Sequence, residues 1–186
     1  MADKYFSIKR WTHGEFEAVY EPQDASAWRS TRGETVLELA LRNRYPATLV
    51  TIANRLLDDG ADATVITPSE HVNVLQLLFS QGDHDFALEA PLLERLLNAG
   101  ADLNWVSPVW GTPLQVLARQ LKFFDAHLAP FYDVVFTRPG IDLLRPGVKG
   151  RSSLQSARLL GERRPELVQR MEAYLTEHGQ TVPAAD

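Results

Sequence analysis

The chain has 186 residues, of which 45% are hydrophobic and 23% are charged, as is typical of a soluble globular protein. It contains no cysteine, which excludes disulfide bonds, thiolate metal sites and a cysteine nucleophile. The net charge of −5 argues against a nucleic-acid partner, and the lack of a signal-peptide core or a long apolar run argues against a membrane. We therefore expect a cytoplasmic protein.

The first thirty residues are interpreted as an N-terminal capping segment, because they fit the pattern of the remaining chain poorly. The run from Trp11 to Val19 predicts a helix within this segment. A pair of short strands is the alternative, since apolar residues alternate in places between Tyr5 and Tyr20.

From residue 31 onward, the chain repeats itself about every forty residues. The tripeptide Gly60-Ala61-Asp62 recurs as Gly100-Ala101-Asp102, and Gly140 and Gly179 continue the series. A second series in the same phase is formed by leucines, which we call the anchor leucines: Leu37, Leu75, Leu114 and Leu154. These two series divide the chain into four copies, at about 31–70, 71–109, 110–149 and 150–180, followed by a tail at 181–186.

Each copy predicts two helices. Shortly before the anchor leucine stands a residue whose side-chain oxygen can cap a helix N-terminus: Thr35, Asn73, Thr112 or Ser152. After a break, a second amphipathic helix runs to the closing glycine, which supplies the left-handed residue that ends many helices. Because neither helix can bury its apolar face alone, we expect the copies to stack into a solenoid.

Residues 33–179 resemble the ankyrin repeat, most strongly in the third copy. Residues 112–118 resemble the T-P-L-H-x-A element of that family, with Gln115 in the histidine position, and residues 96–104 resemble its L-L-x-x-G-A-D-x-N element. The family period is about 33 residues, and the surplus here lies between each anchor leucine and its closing glycine. The resemblance implies an all-α fold: an α-solenoid of about four ankyrin-like helix–turn–helix repeats, with β-hairpin fingers between them.

Signs of catalysis are sparse. The segment Asp83-His84-Asp85 places a histidine between two carboxylates, but its position in a predicted loop favours a solvated polar turn over a metal site. Residues 147–153 are glycine-rich and precede a predicted helix, yet they lack the glycine spacing of a phosphate-binding P-loop. We therefore expect no catalytic residue, metal or cofactor, and hence no enzyme.

Two tryptophans stand out as candidate binding residues. Trp105 and Trp110 flank a loop between the second and third copies, and tryptophan at an exposed loop tip is favourable at a protein interface. Packing between neighbouring fingers is the alternative role for both.

The resemblance also implies a concave binding groove, lined by residues about one helical turn after each anchor leucine. The candidates there are Arg42, Asn43, Gln81, Arg119, Gln120 and Arg158. The residues directly after the anchor leucines are Glu38, Gln76, Gln115 and Gln155, which we expect to bond the backbone of adjacent fingers.

Ankyrin arrays bind other proteins, so the resemblance implies a non-catalytic protein that sequesters or inhibits a protein partner and is a monomer when free. Free-standing chains of this kind resemble bacterial immunity proteins, whose partner would be a cognate toxin or effector. The negative net charge favours a basic partner, because complementary charge speeds association. The alternative is a regulatory or scaffolding subunit of an enzyme complex.

Overall fold

The structure is a computed structural model that describes residues 4–184, and the fold of these residues is all-α. The backbone forms two compact units, Met1–Asp102 and Leu103–Asp186. The helices of the first unit are α1 (His13–Glu17), α2 (Asp24–Ala27), α3 (Val36–Ala40), α4 (Pro46–Asp58), α5 (Val74–Phe79) and α6 (Phe86–Asn98). Those of the second are α7 (Pro113–Ala118), α8 (Asp125–Val135), α9 (Ser153–Arg158) and α10 (Pro165–Glu177).

A short helix followed by a longer one recurs four times between residues 36 and 177, as the sequence predicts. In the first unit α3 packs on α4 and α5, and α4 packs on α6. In the second unit α7 packs on α9, and α8 and α9 both pack on α10. All four anchor leucines are buried in these helix contacts, and the four closing glycines have positive φ angles. The helices within one unit therefore bury each other's apolar faces.

The short helices begin with a reciprocal capping box. The cap side chains of Thr35, Asn73, Thr112 and Ser152 each accept a hydrogen bond from a backbone N–H three residues later, which confirms their predicted role. In return, the side chain at that later position accepts a hydrogen bond from the backbone N–H of the cap residue. Helices of five or six residues are marginal by themselves, so these bonds matter for their stability.

The expected β-hairpin fingers are not confirmed. Within residues 4–184 there is no strand, and the loops between copies contain two isolated antiparallel bridges, Ile66 with Asn73 and Ser107 with Gly111. Pro108 follows directly after Ser107, and proline has no N–H with which to extend a ladder. These two loops are therefore each closed by a single bridge and do not form the expected hairpin.

The described part of the N-terminal segment is helical. Residues 4–30 contain the 3₁₀ helix Ile8–Arg10 followed by α1 and α2, with Tyr5 and Phe16 buried. Residues 1–3 of the predicted cap, and residues 185 and 186 of the predicted tail, lie outside the described part of the chain. Of the helices between residues 4 and 184, none has both the length and the apolar character needed to cross a bilayer.

One capping box contains a buried carboxylate. Glu38 is almost fully buried; one of its carboxylate oxygens accepts the N–H of Thr35 at 2.6 Å, and the other has no hydrogen-bond partner in the described chain. Burial raises the pKa of Glu38. Gln76 and Gln115 occupy the equivalent position in later copies, so a neutral side chain fits this place.

We expect Glu38→Gln to stabilise the protein at pH 7 by about 1–2 kcal/mol, because burying a charge with an unmatched oxygen is costly. A carboxyl whose pKa is raised on folding contributes stability below its unfolded pKa and loses it as the pH rises through the folded pKa. In urea unfolding, the gain in the free energy of unfolding from Glu38→Gln should therefore be small near pH 4 and full at pH 7.

Glu15→Gln is the matched control. Glu15 lies in an exposed capping box where hydrogen bonds from Thr12 lower its pKa, so the substitution should give no gain in stability. An equal gain in both variants would contradict this explanation.

Candidate functional site

The three candidate residues in the first unit are held in internal contacts. Asn43 is buried, and its side-chain amide donates to the carbonyls of Ile8 at 2.7 Å and Trp11 at 2.9 Å. The prediction that Asn43 contacts a partner is therefore wrong: it fastens the N-terminal segment to the loop after α3. Gln81 lies further along the chain, and its amide donates to the carbonyl of Leu77 at 2.7 Å.

The positive charge of Arg42 is also compensated by acidic residues of the chain. Its guanidinium lies 2.6 Å from the carboxylate of Glu70 and 3.6 Å from that of Glu34. A partner carboxylate would have to compete with both of these acids, so Arg42 is a weak candidate for recognition.

Two candidates in the second unit have structural partners as well. The carbonyl of Gln120 accepts a hydrogen bond from the buried guanidinium of Arg164. Arg158 pairs with Glu172 at 2.7 Å and also donates to the carbonyls of Pro183 and Ala184.

The other three candidates are Trp105 and Trp110, which flank one loop of the second unit, and Arg119, which contacts Trp110. With Val109 of the same loop we call them the fingertip site. Val109 is 71% exposed, although it is a large aliphatic residue, and Trp105 and Trp110 on either side are half-buried. Arg119, at the end of α7, donates a hydrogen bond to the carbonyl of Trp110. The sequence pointed to the tryptophans and the arginine separately, and the structure joins Trp110 and Arg119 through this bond.

The charge of Arg119 has no counter-ion. No carboxylate in the described chain lies within ion-pair distance of its guanidinium, and partial desolvation lowers its pKa. One donor of the guanidinium binds a carbonyl, and a guanidinium has five N–H donors in all. Arg119 can therefore offer a bidentate contact to a carboxylate, which is the geometry that arginine favours.

The loop of the fingertip site has a rigid base. Gly111, which closes the loop with φ of +77°, lies so near the Gln115 side chain that a Cβ there would sit 2.0 Å from its oxygen. That oxygen also accepts the N–H groups of Thr112 at 3.0 Å and Val148 at 3.1 Å. The Gln115 amide nitrogen donates to the carbonyl of Arg151 at 2.8 Å. Gln115 thus makes the bond to an adjacent loop that we expected of it.

The glycine-rich segment at 147–153 is explained by the same side chain. A Cβ on Gly147 would lie 2.1 Å from the oxygen of Gln115, so glycine is needed for the loop to approach α7. The Val148 N–H, which a phosphate cradle would direct to an anion, donates to Gln115 instead. The segment is a packing element between the third and fourth copies.

His84 lies in a buried contact and not in the solvated turn we expected. Its Nδ1 atom is 2.5 Å from a carboxylate oxygen of Glu89, both side chains are fully buried, and the imidazole stacks on Phe86. Between residues 4 and 184, no three histidine, cysteine or acidic side chains come close enough together to hold a metal ion. The histidine therefore helps to fix the start of α6.

No family model matches this chain, and no curated protein matches it. Among solved structures, it is similar to a crystal structure described as that of a functionally unknown protein from Leptotrichia buccalis C-1013-b, with a TM-score of 0.72. The two sequences are 20% identical, and the match covers 97% of this chain and 96% of the other. At this identity the likeness shows that the two proteins share a fold.

Proposed function

We propose that this chain is an ankyrin-like repeat protein without catalytic activity, which binds another protein through the fingertip site. The observation that carries the proposal is the exposed Val109 beside Trp110 and an arginine without a counter-ion. The repeated capping boxes and the pairwise packing of copies within each unit support the solenoid part of the proposal.

The composition of the fingertip site favours a protein partner over a small ligand. Tryptophan and arginine are the residue types most enriched among the energetic hot spots of protein interfaces. Exposed apolar surface beside them gains free energy when a partner removes it from water. Val109 at the centre of the site is 71% exposed, whereas small-molecule sites are usually clefts that bury most of the ligand.

The charge of Arg119 and the net charge of the chain indicate which side chains a partner presents to the fingertip site. Arg119 selects an acidic side chain at the contact itself, because burying it opposite an apolar or basic surface would leave its charge unpaired. The net charge of −5 acts over a longer range and favours a partner that is basic elsewhere on its surface. A cationic toxin with an acidic residue in its contact surface meets both conditions, and the chain would then act as its inhibitor.

The base of the loop supports tight binding. Gln115 accepts the N–H groups of Thr112 and Val148, and Ser107 and Gly111 exchange two backbone hydrogen bonds, so the base of the fingertip loop is ordered before a partner arrives. A preformed surface loses little conformational entropy on association, which leaves more of the contact energy as affinity.

The test is a pair of substitutions at the fingertip. We expect Trp110→Ala and Arg119→Ala each to weaken partner binding about tenfold or more, as hot-spot truncations do. Thermal stability should change little, since both side chains reach the surface. The partner is first isolated by affinity capture from native lysate with the full-length protein, and its affinity for each variant is then measured by calorimetry.

Arg163→Ala is the matched control, because Arg163 is an exposed arginine of the same unit that makes a long hydrogen bond of 3.4 Å to the carbonyl of Leu121 and a cation–π contact with Phe124. It should bind the partner as the wild type does. If Arg163→Ala lost as much affinity as Arg119→Ala, the fingertip would not be the binding site. If Trp110→Ala lowered the melting temperature strongly, Trp110 would contribute to the stability of the fold and not to binding.

The alternative function makes a different prediction. If the captured partner is an enzyme that stays in a permanent complex with this chain and keeps its activity, the chain is a scaffolding subunit and not an inhibitor.

A further inference from the structure

The second unit contains a groove of about 730 Å³ beside α9 and α10, within the size range of pockets that hold a drug-sized molecule or a short peptide. We call it the end groove. Its walls include Gln155, Arg158 and Leu159 from the region of α9, and Pro165, Val168 and Glu172 from α10. Leu159 is 65% exposed, which makes it one of the most exposed large apolar residues of the described chain.

The residues at the equivalent positions of the third copy form the face on which the fourth copy packs. Forty residues before the six groove residues stand Gln115, Ala118, Arg119, Asp125, Leu128 and Tyr132. All of these except Arg119 are buried, because the fourth copy packs against them. The end groove is therefore the equivalent face on the fourth copy.

This face binds backbone groups of the chain that packs on it. In the third copy, the Gln115 amide donates to two successive carbonyls, those of Arg151 at 2.8 Å and Ser152 at 3.4 Å. The carboxylate of Asp125 accepts the backbone N–H of Glu166 at 2.8 Å. The occupant of this face is thus held in part through its main chain, beside side-chain contacts such as that of Ser156 with the Gln115 amide at 2.7 Å.

At one edge of the end groove, Arg158 already binds two successive backbone carbonyls of the chain's own tail. Arg158 is anchored by Glu172, whose carboxylate oxygen lies 2.7 Å from Nη2 and 3.1 Å from Nε. The remaining nitrogen, Nη1, donates to two successive carbonyls of the tail, those of Pro183 at 2.9 Å and Ala184 at 3.1 Å. Arg158 is thus fixed in a position where it binds an extended chain.

We infer that the end groove is a binding site for an extended polypeptide segment of a partner protein, separate from the fingertip site. Two successive carbonyls of that segment bind Arg158, and a small aliphatic or proline side chain lies between Leu159 and Val168. The tail of the chain itself, with Val182 and Pro183, has this chemistry and competes for Arg158. A second copy is a weaker candidate, because stable protein interfaces bury about 800 Å² on each partner, which is more than a short groove provides.

The probe for this site is an acetylated and amidated peptide with the sequence of residues 180–184, Gln-Thr-Val-Pro-Ala. The tethered tail has an effective concentration on the order of millimolar, so the peptide must be titrated to roughly 10 mM. In ¹⁵N-labelled full-length protein, we expect saturable shifts of the amide signals of Leu159, Val168 and Glu172. The signals of Val182 and Ala184 should move at the same peptide concentrations, as the tail is displaced.

Leu159→Asp should abolish these shifts, because it places a charge in the apolar part of the groove, and its exposed position should leave folding intact. Leu121→Asp is the matched control: Leu121 is 50% exposed in the same unit but outside the groove lining, so its variant should bind the peptide normally. Absence of saturable shifts, or equal shifts in the Leu159→Asp variant, would overturn the inference. Groove signals that move on dilution without peptide would also overturn it, in favour of a second copy of the chain.

Discussion

Arg164→Ala should destabilise the second unit by about 3–5 kcal/mol, the cost of removing one partner from a buried ion pair. Arg164 is fully buried, and its guanidinium lies 3.6 Å from the carboxylate of Asp125. It also donates to the carbonyls of Ala118 at 2.8 Å, Phe123 at 2.9 Å and Gln120. One side chain of the fourth copy therefore donates hydrogen bonds to three backbone carbonyls between the end of α7 and the start of α8.

Removal of the guanidinium would leave the three carbonyls without this donor, and the Asp125 carboxylate, which still accepts from Tyr132 and Glu166, without its cationic partner. Urea unfolding followed by circular dichroism should show the loss, and Arg164→Lys should recover only part of it, because an ammonium group cannot match the planar guanidinium. The exposed neighbour Arg163 provides the control, since Arg163→Ala should change stability by no more than about 0.5 kcal/mol. Similar losses in Arg163→Ala and Arg164→Ala would show that the buried network is not what holds the loop.

Leu114→Ala should destabilise the same unit by about 2–5 kcal/mol, the range for a buried leucine cut back to alanine. Leu114 is the anchor leucine of α7 and is 1% exposed, and α7 packs against α9 of the next copy. A cavity at this point weakens the contact between two copies as well as the helix itself. The midpoint of urea unfolding should fall accordingly.

Leu121→Ala is the control for this substitution, because Leu121 has the same side chain and is half exposed in the same unit. We expect a change within about 0.5 kcal/mol for it. If the two alanine variants had equal stability, the anchor leucines would not form the core between copies.

Much of the local structure could be predicted from the sequence. The caps at Thr35 and Thr112, and the glycines that end the long helices, obey rules that involve residues three or four positions apart. The burial of the anchor leucines follows from a period that the sequence displays directly. The all-α fold was predictable because these local signals agree with one another.

The contacts between loops could not be predicted in this way. Arg164 binds carbonyls more than forty residues earlier in the chain, and nothing in its neighbourhood marks it as buried. Asn43 was mistaken for a surface residue for the same reason: its partners, Ile8 and Trp11, belong to the N-terminal segment. Hydrogen bonds to distant backbone groups leave no periodic pattern in the sequence.

The candidate site was predictable only in part. Trp110 could be singled out because a large aromatic residue at a loop tip is unusual, but the isolation of the Arg119 charge depends on where every acidic side chain lies. Arg42 and Arg158 occupy comparable places along their copies and are neutralised by Glu70 and Glu172. The difference between a binding arginine and a structural one is therefore a property of the folded chain.

Hydrogen–deuterium exchange of the full-length protein, measured free and bound to its captured partner, tests the proposed function most directly. We predict slower exchange on binding in the segment around Ser107–Gly111 and at the end of α7 near Arg119, with little change in α4 of the first unit. Unchanged exchange in the fingertip segment, with slowing at another surface, would contradict the proposed binding site.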